Sequence, residues 1–280
     1  MINKTLSHSH KLGRSLLRLI AVAFVIMLVA VPVLANDSAS SAALSSKKPT
    51  IVLVHGAWAD ASGWDRVIAL LHLTGYNTVA PTLDLNSIDG DVATVRATLD
   101  SIPGKKILVA HSYGGVVISN AAYGRSDVLG LVYSAAFLPD AGDSVVSLGT
   151  GFVQSEAFNH LIFTGAPFAS PAYIDPAYFP QYFAQDLSPR VAAKLNAAQR
   201  PINAPILFTP SGPVAWHTLP SWYAVSGSDL IIDPAEQRWM ASRAHATTIT
   251  LYGASHIGGI VQHPIEFTLL IELAARVTAR

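Results

Sequence analysis

The sequence contains no cysteine among its 280 residues. It therefore excludes disulfide bridges, zinc sites built on thiolates, a thiol nucleophile and lipid attachment through cysteine. Charge is also scarce, since only 13% of residues are Asp, Glu, Lys or Arg, and 18 basic side chains balance 18 acidic ones. A neutral balance argues against a nucleic-acid binder, which needs a basic excess. The apolar content of 51% excludes a disordered chain and allows one large domain.

The first 35 residues have the layout of a secretory signal. Residues 1–18 contain four basic side chains and no acidic one, and an uncharged apolar run follows over 19–34. The exit from this run reads Val-Leu-Ala at 33–35, with small residues at the positions that a signal peptidase recognises. A Ser- and Ala-rich stretch over 36–48 is typical of a flexible lead-in. We therefore predict a cleaved signal peptide, a secreted or periplasmic protein and no stable membrane association. An uncleaved membrane anchor is the alternative, because the run is about long enough to cross a bilayer.

The balanced charge of the whole chain hides an uneven distribution. All four charges in residues 1–35 are positive, so the remaining chain has 14 basic and 18 acidic side chains and a formal charge of −4. This predicts a mildly acidic soluble protein whose partners are small molecules rather than nucleic acids. The sequence carries no indication of its oligomeric state.

Strand patterns alternate with helical patterns along most of the chain from residue 49 to residue 280. Strands are predicted at 50–56, 76–81, 105–110, 128–137, 221–227 and 247–253. Helices are predicted at 61–73, 88–101, 115–123, 234–245 and 264–277. Repeated βα units imply an α/β fold with a doubly wound, mainly parallel sheet. Residues from about 139 to 219 break the alternation and are rich in aromatics, so we predict an inserted cap with an apolar underside.

The third predicted strand runs into the motif Ala-His-Ser-Tyr-Gly-Gly at 110–115. Small residues around Ser112 permit a tight turn from strand to helix, which lifts the serine hydroxyl above the sheet in strained backbone geometry. A short Gly/Ser pattern is weak alone, but here it lies between an apolar strand and an apolar helix. We predict that Ser112 is a catalytic nucleophile; a structural turn serine is the alternative.

A nucleophilic serine needs a histidine base and an acid that orients it. Both are expected in loops at the carboxyl edge of the sheet, where Asp229 follows the fifth predicted strand and His256 the sixth. We predict that these residues complete a triad with Ser112. Asp233 is the rival acid, although its place before a proline suits a helix N-cap. Surface or capping roles are expected for the rival histidines, which are His72, His111, His217, His245 and His263.

The loop after the first predicted strand reads His-Gly-Ala-Trp at 55–58. A glycine there lets the backbone pass close to the nucleophile and point an amide at the substrate oxygen. We predict an oxyanion hole made by the backbone amides of Ala57 and Tyr113, the second of which lies at a helix N-terminus. His55 is expected to be a structural hydrogen-bonding residue. Trp58 is a candidate for lining the substrate pocket, with core packing as the alternative.

Four segments in this order resemble the α/β-hydrolase superfamily, and in particular its bacterial branch near plant methylesterases and hydroxynitrile lyases. They are VLVHGAW at 52–58, AHSYGG at 110–115, WHTLPSWYAVSGSD at 216–229 and GASHIGG at 253–259. The resemblance implies a Ser-Asp-His hydrolase that needs no cofactor. The plant lyases carry Thr and Lys where this chain has Gly56 and Ile257, which favours hydrolysis over cyanohydrin cleavage. Ala110 replaces the commoner glycine of the motif.

From these features we predict a serine carboxylesterase for small to medium apolar esters, with neither metal nor cofactor. Histidine and carboxylate spacings typical of a metal enzyme, such as H-E-x-x-H, are missing. Lactone, amide or carbon–carbon bond hydrolysis, cyanohydrin cleavage and cofactor-free perhydrolysis are alternatives on the same triad. A non-catalytic ligand-binding protein is a more remote one. Fold resemblance does not supply the natural substrate.

Overall fold

The computed structural model describes residues 48–278, so the predicted signal peptide and all but the end of the predicted lead-in lie outside the described residues. Nine strands are found there: β1 (Thr50–Val54), β2 (Thr78–Val79), β3 (Lys106–His111), β4 (Val128–Ser134), β5 (Leu161–Phe163), β6 (Pro171–Ile174), β7 (Ile202–Asn203), β8 (Ser221–Ser226) and β9 (Thr247–Leu251). The α-helices of the same region are α1 (Asp65–Leu73), α2 (Ile88–Ser101), α3 (Gly114–Ala121), α4 (Val145–Leu148), α5 (Phe179–Phe183), α6 (Pro189–Ala197), α7 (Pro234–Arg243), α8 (Gly258–Val261) and α9 (Pro264–Thr278).

Six strands form one parallel sheet in the order β2-β1-β3-β4-β8-β9. The central strands are runs of Val, Ile, Leu and Ala, and β3 is buried along its whole length because helices cover both faces of such a sheet. Helix α1 packs against α9, and α2 packs against α3. The predicted doubly wound, mainly parallel α/β fold is confirmed.

The strand order reverses between β1 and β3, because the chain adds β2 on one side of β1 and β3 on the other. Val54 pairs with Ala110 at the ends of these strands, so residues 55–57 lie beside residues 111–113. Ser226 likewise pairs with Leu251, which brings together the loops that follow β8 and β9. Such a reversal leaves a crevice at the carboxyl ends of the strands, where α/β proteins bind ligands.

The segment between β4 and β8, predicted as a cap over 139–219, has a small antiparallel sheet of its own. Strand β6 pairs with β5 on one side and with β7 on the other. Helices α4, α5 and α6 and two 3-10 helices, Glu156–His160 and Ala204–Phe208, complete the segment. None of the helices between residues 48 and 278 has both the length and the apolar character needed to cross a membrane.

Candidate active site

Ser112 lies in the turn between β3 and α3 with a backbone φ of +54°. A positive φ is uncommon and strained for a residue with a side chain, so surrounding contacts must hold it. The Ser112 amide donates to the carbonyl of Ala135 at 3.2 Å, and its own carbonyl accepts from Gly115 at 2.9 Å and from Phe137 at 3.1 Å. These bonds fix the turn that the motif predicts and direct Ser112 to the carboxyl edge of the sheet.

The loop after β1 passes against the nucleophile candidate at Gly56. A Cβ added to this glycine would lie 2.5 Å from Ser112 Cβ and 2.9 Å from the His111 carbonyl oxygen. Only glycine allows this approach, and the approach brings Ala57 beside the turn that holds Ser112 and Tyr113. Neither the Ala57 amide nor the Tyr113 amide donates a hydrogen bond to any other residue within 48–278. The two amides are therefore free to donate to a substrate oxygen.

His256 and Asp229 form a hydrogen-bonded pair with both side chains fully buried. His256 Nδ1 lies 2.8 Å from Asp229 Oδ2. Because a carboxylate only accepts, Nδ1 carries the proton and Nε2 has the free lone pair. Nε2 is buried and has no hydrogen-bond partner in the described part of the chain, so no bond joins it to Ser112 Oγ in this arrangement. Catalytic hydrogen bonds of this kind are often long without substrate and shorten in its complex.

Asp229 accepts four hydrogen bonds, which hold its carboxylate rigidly. Oδ1 accepts from the amides of Ile231 at 2.7 Å and Ile232 at 3.0 Å, and Oδ2 accepts from Gln237 Nε2 as well as from His256. Gln237 also donates to the Ile232 carbonyl and accepts from the Ser226 amide, so it ties α7 to β8 and to the acid.

Sequence reasoning missed Gln237, although one signal could have found it. A polar side chain three positions after Pro234 falls on the same face of α7 as the buried Met240 and Ala241. A glutamine on a buried face needs partners for both its amide nitrogen and its oxygen, and the acid loop directly precedes this helix.

The rival acid Asp233 has the capping role that its sequence position predicts. Its side chain accepts from the Ala235 amide at 2.9 Å at the start of α7 and from the Val153 amide at 3.1 Å. Both oxygens therefore serve backbone donors, and neither contacts a histidine.

His111 departs from the surface or capping role expected for the rival histidines, so that prediction is wrong for it. The side chain is buried, and its Nε2 lies 3.0 Å from the backbone oxygen of His256. The two rings lie 4.7 Å apart between centroids. Burial, with the neighbouring His256, holds the pKa of His111 well below its usual range, so the ring is neutral. A neutral His111 donates a hydrogen bond from Nε2 to the backbone of the loop that carries His256. Because His111 directly precedes Ser112, this bond ties that loop to the turn of Ser112.

The other histidines agree with structural roles. The Leu83 amide donates to His55 Nε2 at 3.0 Å, which leaves the His55 proton on Nδ1 to donate to the Gly56 carbonyl at 2.9 Å. His55 thus fixes the loop that precedes Ala57. Of the four remaining rivals for the base, three are exposed and one is half-buried: His72, His217, His245 and His263.

The side chains of Trp58 and Tyr113 pack rather than face open space. Trp58 Nε1 donates to the carbonyl of Ala172 in β6, and its ring contacts Phe158 edge-on, so it joins the β1 loop to the cap. The Tyr113 hydroxyl donates to the buried Asp91 at 2.9 Å. Asp91 also accepts from two backbone amides of the loop before α2.

One cap residue covers His256 directly. The ring of Phe183, at the end of α5, meets the His256 ring edge-on with centroids 4.8 Å apart. The Ile257 amide donates to the Phe183 carbonyl at 3.1 Å. The cap therefore contacts both the side chain of His256 and the backbone next to it.

A cavity of about 310 Å³ lies between the cap and the segment that follows Asp229. Its wall includes Phe137, Phe158, Leu207, Phe208, Ile231 and Glu236. This volume is within the range of small-molecule sites, and most of the wall is apolar. Among residues 48–278, no group of three or more His, Asp and Glu side chains is arranged to hold a metal ion.

Comparisons with known proteins agree with this fold. A sequence profile of the "Alpha/beta hydrolase family" matches residues 51–268. The chain is 34% identical over 110 residues to the carbendazim hydrolyzing esterase of a Nocardioides species, covering 35% of this chain and 46% of the relative, and so less than half of that protein's length. It is 27% identical over 240 residues to methylesterase 8 of Arabidopsis thaliana, covering 75% and 84%.

Among solved structures, a pyrethroid hydrolase from Sphingobium faniae JZ-2 superposes with a TM-score of 0.70. Identity is 22%, and the superposition covers 82% of this chain and 98% of that structure, so the likeness shows the fold alone. The resemblance predicted from the motifs is confirmed. With a family profile matched along most of its length, and the strand order and turn described above, this chain belongs to the α/β-hydrolase family.

Proposed function

We propose that this protein is a serine carboxylesterase that acts on small to medium apolar esters. The observation that carries the proposal is the buried Asp229–His256 pair, whose free Nε2 lies at the same sheet edge as the strained Ser112. An acid that fixes the tautomer of a histidine, beside a serine in a tight turn, is the arrangement for nucleophilic acyl transfer. The relatives named as esterases support an ester as the substrate class.

In the first half-reaction, Ser112 Oγ attacks the ester carbonyl while His256 Nε2 takes its proton. Asp229 keeps the Nδ1 proton in place and stabilises the imidazolium that forms. The amides of Ala57 and Tyr113 donate to the oxyanion of the tetrahedral intermediate. His256 then protonates the leaving alcohol, and the acyl group stays on Ser112.

In the second half-reaction, His256 Nε2 takes a proton from water, and the resulting hydroxide attacks the acyl carbonyl. The same two amides stabilise the second oxyanion, and His256 returns the proton to Ser112 Oγ as the acid leaves. The cycle balances without a redox partner or any other co-reactant.

The apolar cavity beneath the cap supports small to medium apolar esters as the substrate. Burying one methylene contributes about 0.8 kcal/mol, so such a wall grades chain lengths gradually and does not select one sharply. Activity is therefore expected across neighbouring acyl lengths, with a decline where the chain outgrows the cavity.

The test is covalent labelling and turnover of Ser112→Ala beside a matched control, Ser126→Ala, at an exposed turn. We expect the wild type and the control to hydrolyse nitrophenyl esters and to take up one organophosphonate per chain, and Ser112→Ala to lose both at an unchanged melting temperature. A panel with lactones, amides and cyanohydrins separates the other reactions of a triad. Persistent ester turnover by purified Ser112→Ala would overturn the assignment.

We also propose that the protein is exported and that its signal peptide is cleaved after Ala35. The basic start, the apolar run over 19–34 and the small-residue exit support this proposal. Mass spectrometry of protein recovered from an exporting host is expected to find a chain that begins at Asn36. A full-length chain retained in the membrane fraction would favour the anchor instead.

A further inference from the structure

Glu236 is a buried carboxyl without a partner in the wall of the cavity beneath the cap. It lies in the first turn of α7, seven residues after Asp229, and only 4% of it is exposed. Its Oε1 atom is buried and accepts no hydrogen bond from the residues that the structure describes, and no cation of that region pairs with it. Leaving a buried polar group without a partner destabilises the fold, so its place in the fold needs an explanation.

The other polar side chains of the same wall have protein partners. Gln154 donates to the carbonyls of Gly149 and Phe152, and Ser155 Oγ donates to the carbonyl of Leu230. Asn159 Nδ2 donates to a carboxylate oxygen of Glu156 at 2.7 Å. Gln154, Glu156 and Asn159 are also exposed to solvent, whereas Glu236 is buried and has no partner among the described residues.

Glu236 carries a proton at neutral pH. Burial, together with the negative charges of Asp233 and Asp229, raises the pKa of this carboxyl to about 8. A protonated carboxyl has an O–H group to donate and no net charge, so it suits a neutral oxygen acceptor.

The wall that holds Glu236 also adjoins the turn that carries Ser112 and the loop that carries Asp229. Phe137 lines the cavity, and its amide donates to the Ser112 carbonyl at 3.1 Å. Ile231 lines it too, and its amide donates to Asp229. Ser112 and His256 do not line the cavity themselves, so Phe137 and Ile231 are the residues that connect its wall to the turn of Ser112 and to the loop of Asp229.

We propose that the cavity beneath the cap binds the chain of an oxygenated ester, and that Glu236 donates a hydrogen bond to a carbonyl, ether or hydroxyl oxygen on that chain. This inference rests on the proposed esterase function and sharpens it, because it names esters with a second oxygen function as preferred over plain alkyl esters. Glu236 acts as a specificity determinant that contacts the substrate away from the reacting carbonyl.

The test measures binding of uncleaved esters to Ser112→Ala protein by calorimetry, so that it does not depend on turnover. The ligands are ethyl hexanoate and the three ethyl oxohexanoates with the ketone at carbon 3, 4 or 5. Each is measured with Ser112→Ala alone and with Glu236→Gln or Glu236→Leu added. Gln keeps an N–H donor at this position, whereas Leu keeps the approximate volume without one. Glu266→Leu, at a more exposed glutamate of α9 that does not line the cavity, is the matched control.

We expect the preference for at least one oxo ester over ethyl hexanoate to fall about three- to ten-fold with Glu236→Leu, the effect of one hydrogen bond. The preference should stay within about two-fold with Glu236→Gln and Glu266→Leu. Equal preferences in the Leu variant and its parent for all three oxo esters would overturn the proposal. So would the absence of binding of every ester, since the cavity would then not be an ester site.

The outcome is separable from that of the proposed function. Loss of the Glu236 effect beside normal turnover and labelling of Ser112 leaves the esterase standing and removes only its preference for oxygenated chains. A clear Glu236 effect on binding, together with a wild-type protein that cleaves no ester, would support the binding of oxygenated chains and overturn the esterase function. Thermal melts of each variant identify any that fails to fold, and Glu236→Leu is expected to melt no lower than its parent because it removes an unpaired buried carboxyl.

Discussion

At the scale of single residues, the triad candidates depend on neighbours whose roles are less visible in the sequence. Gln237 bonds to Asp229, to the Ile232 carbonyl and to the Ser226 amide, and so connects the acid to two elements at once. It touches neither the nucleophile nor the base, so we regard it as a positioning residue.

We expect Gln237→Met to lower kcat about ten-fold while KM changes less than about two-fold. Methionine has a similar length but cannot donate to Asp229, and the loss of a hydrogen bond to a charged group is worth about 1.5–3 kcal/mol. Steady-state kinetics with a nitrophenyl ester make the measurement. Gln262→Met, at an exposed position after α8, is the control. A fall in the melting temperature with unchanged kcat would assign Gln237 to stability alone.

The burial of Glu236 also predicts how the stability of the protein depends on pH. Its pKa is raised to about 8 from an ordinary value of 4.5, so the folded protein keeps a proton that the unfolded chain releases above that ordinary value. Ionisation of this group therefore does not reduce the unfolding free energy below about pH 4.5, and it reduces that free energy by a few kcal/mol in total as the pH rises to about 8.

We expect Glu236→Gln to remove most of this decline. Urea unfolding at pH 5 and at pH 8.5 should show a larger loss of unfolding free energy in the wild type than in the variant. Glu266→Gln, whose side chain is more than half exposed, should behave as the wild type does. Parallel pH dependences in the wild type and Glu236→Gln would mean that the buried carboxyl does not hold its proton.

At the scale of elements, the short helix α5 joins the cap to the catalytic edge. The Phe183 ring packs edge-on with the His256 ring, and the Phe183 carbonyl accepts a hydrogen bond from the Ile257 amide. Trp58 makes a second connection through its bond to Ala172 in β6. The cap is therefore attached on both sides of the crevice, at the base loop and at the loop of the oxyanion-hole candidate.

We expect Phe183→Leu to lower kcat/KM about ten-fold, because a smaller side chain admits water next to His256 and loosens the position of its ring. The melting temperature should fall by a few degrees, as for the loss of a packed aromatic contact. Phe163→Leu, in β5 of the cap at a residue that does not itself line the cavity, is the control. Equal kcat/KM in the two variants would mean that Phe183 serves packing only.

At the scale of the whole molecule, the central sheet could be predicted because its strands are apolar runs between helical patterns. The predicted helix 88–101 has those limits in the structure, since Ser87 caps it and Pro103 follows soon after its end. The cap could not be predicted in detail, because its strands are two to four residues long and owe their form to tertiary contacts.

The same division applies to the site. Ser112, Asp229 and His256 could be proposed because each follows a strand whose end the pattern marks, and parallel strands end at one edge. The surface or capping role predicted for His111 is wrong because the loop that carries His256 folds over the side chain and buries it. A polar residue in a helix is usually solvated, so the helical spacing of Gln237 from Met240 and Ala241 is a weak signal of its burial, and the burial of Glu236 is shown only by the packed structure.

The contact between Phe183 and the base has a consequence for the order of events in a catalytic cycle. If α5 moves away to admit an ester, it breaks the bond to Ile257 and uncovers the His256 ring in the same motion. The entry of substrate and the exposure of the His256 ring to water are then a single event. A substrate large enough to hold α5 open would leave the His256 ring exposed to water. The largest substrate that this protein accepts would then be set by the need to exclude water from His256 as well as by the volume of the cavity.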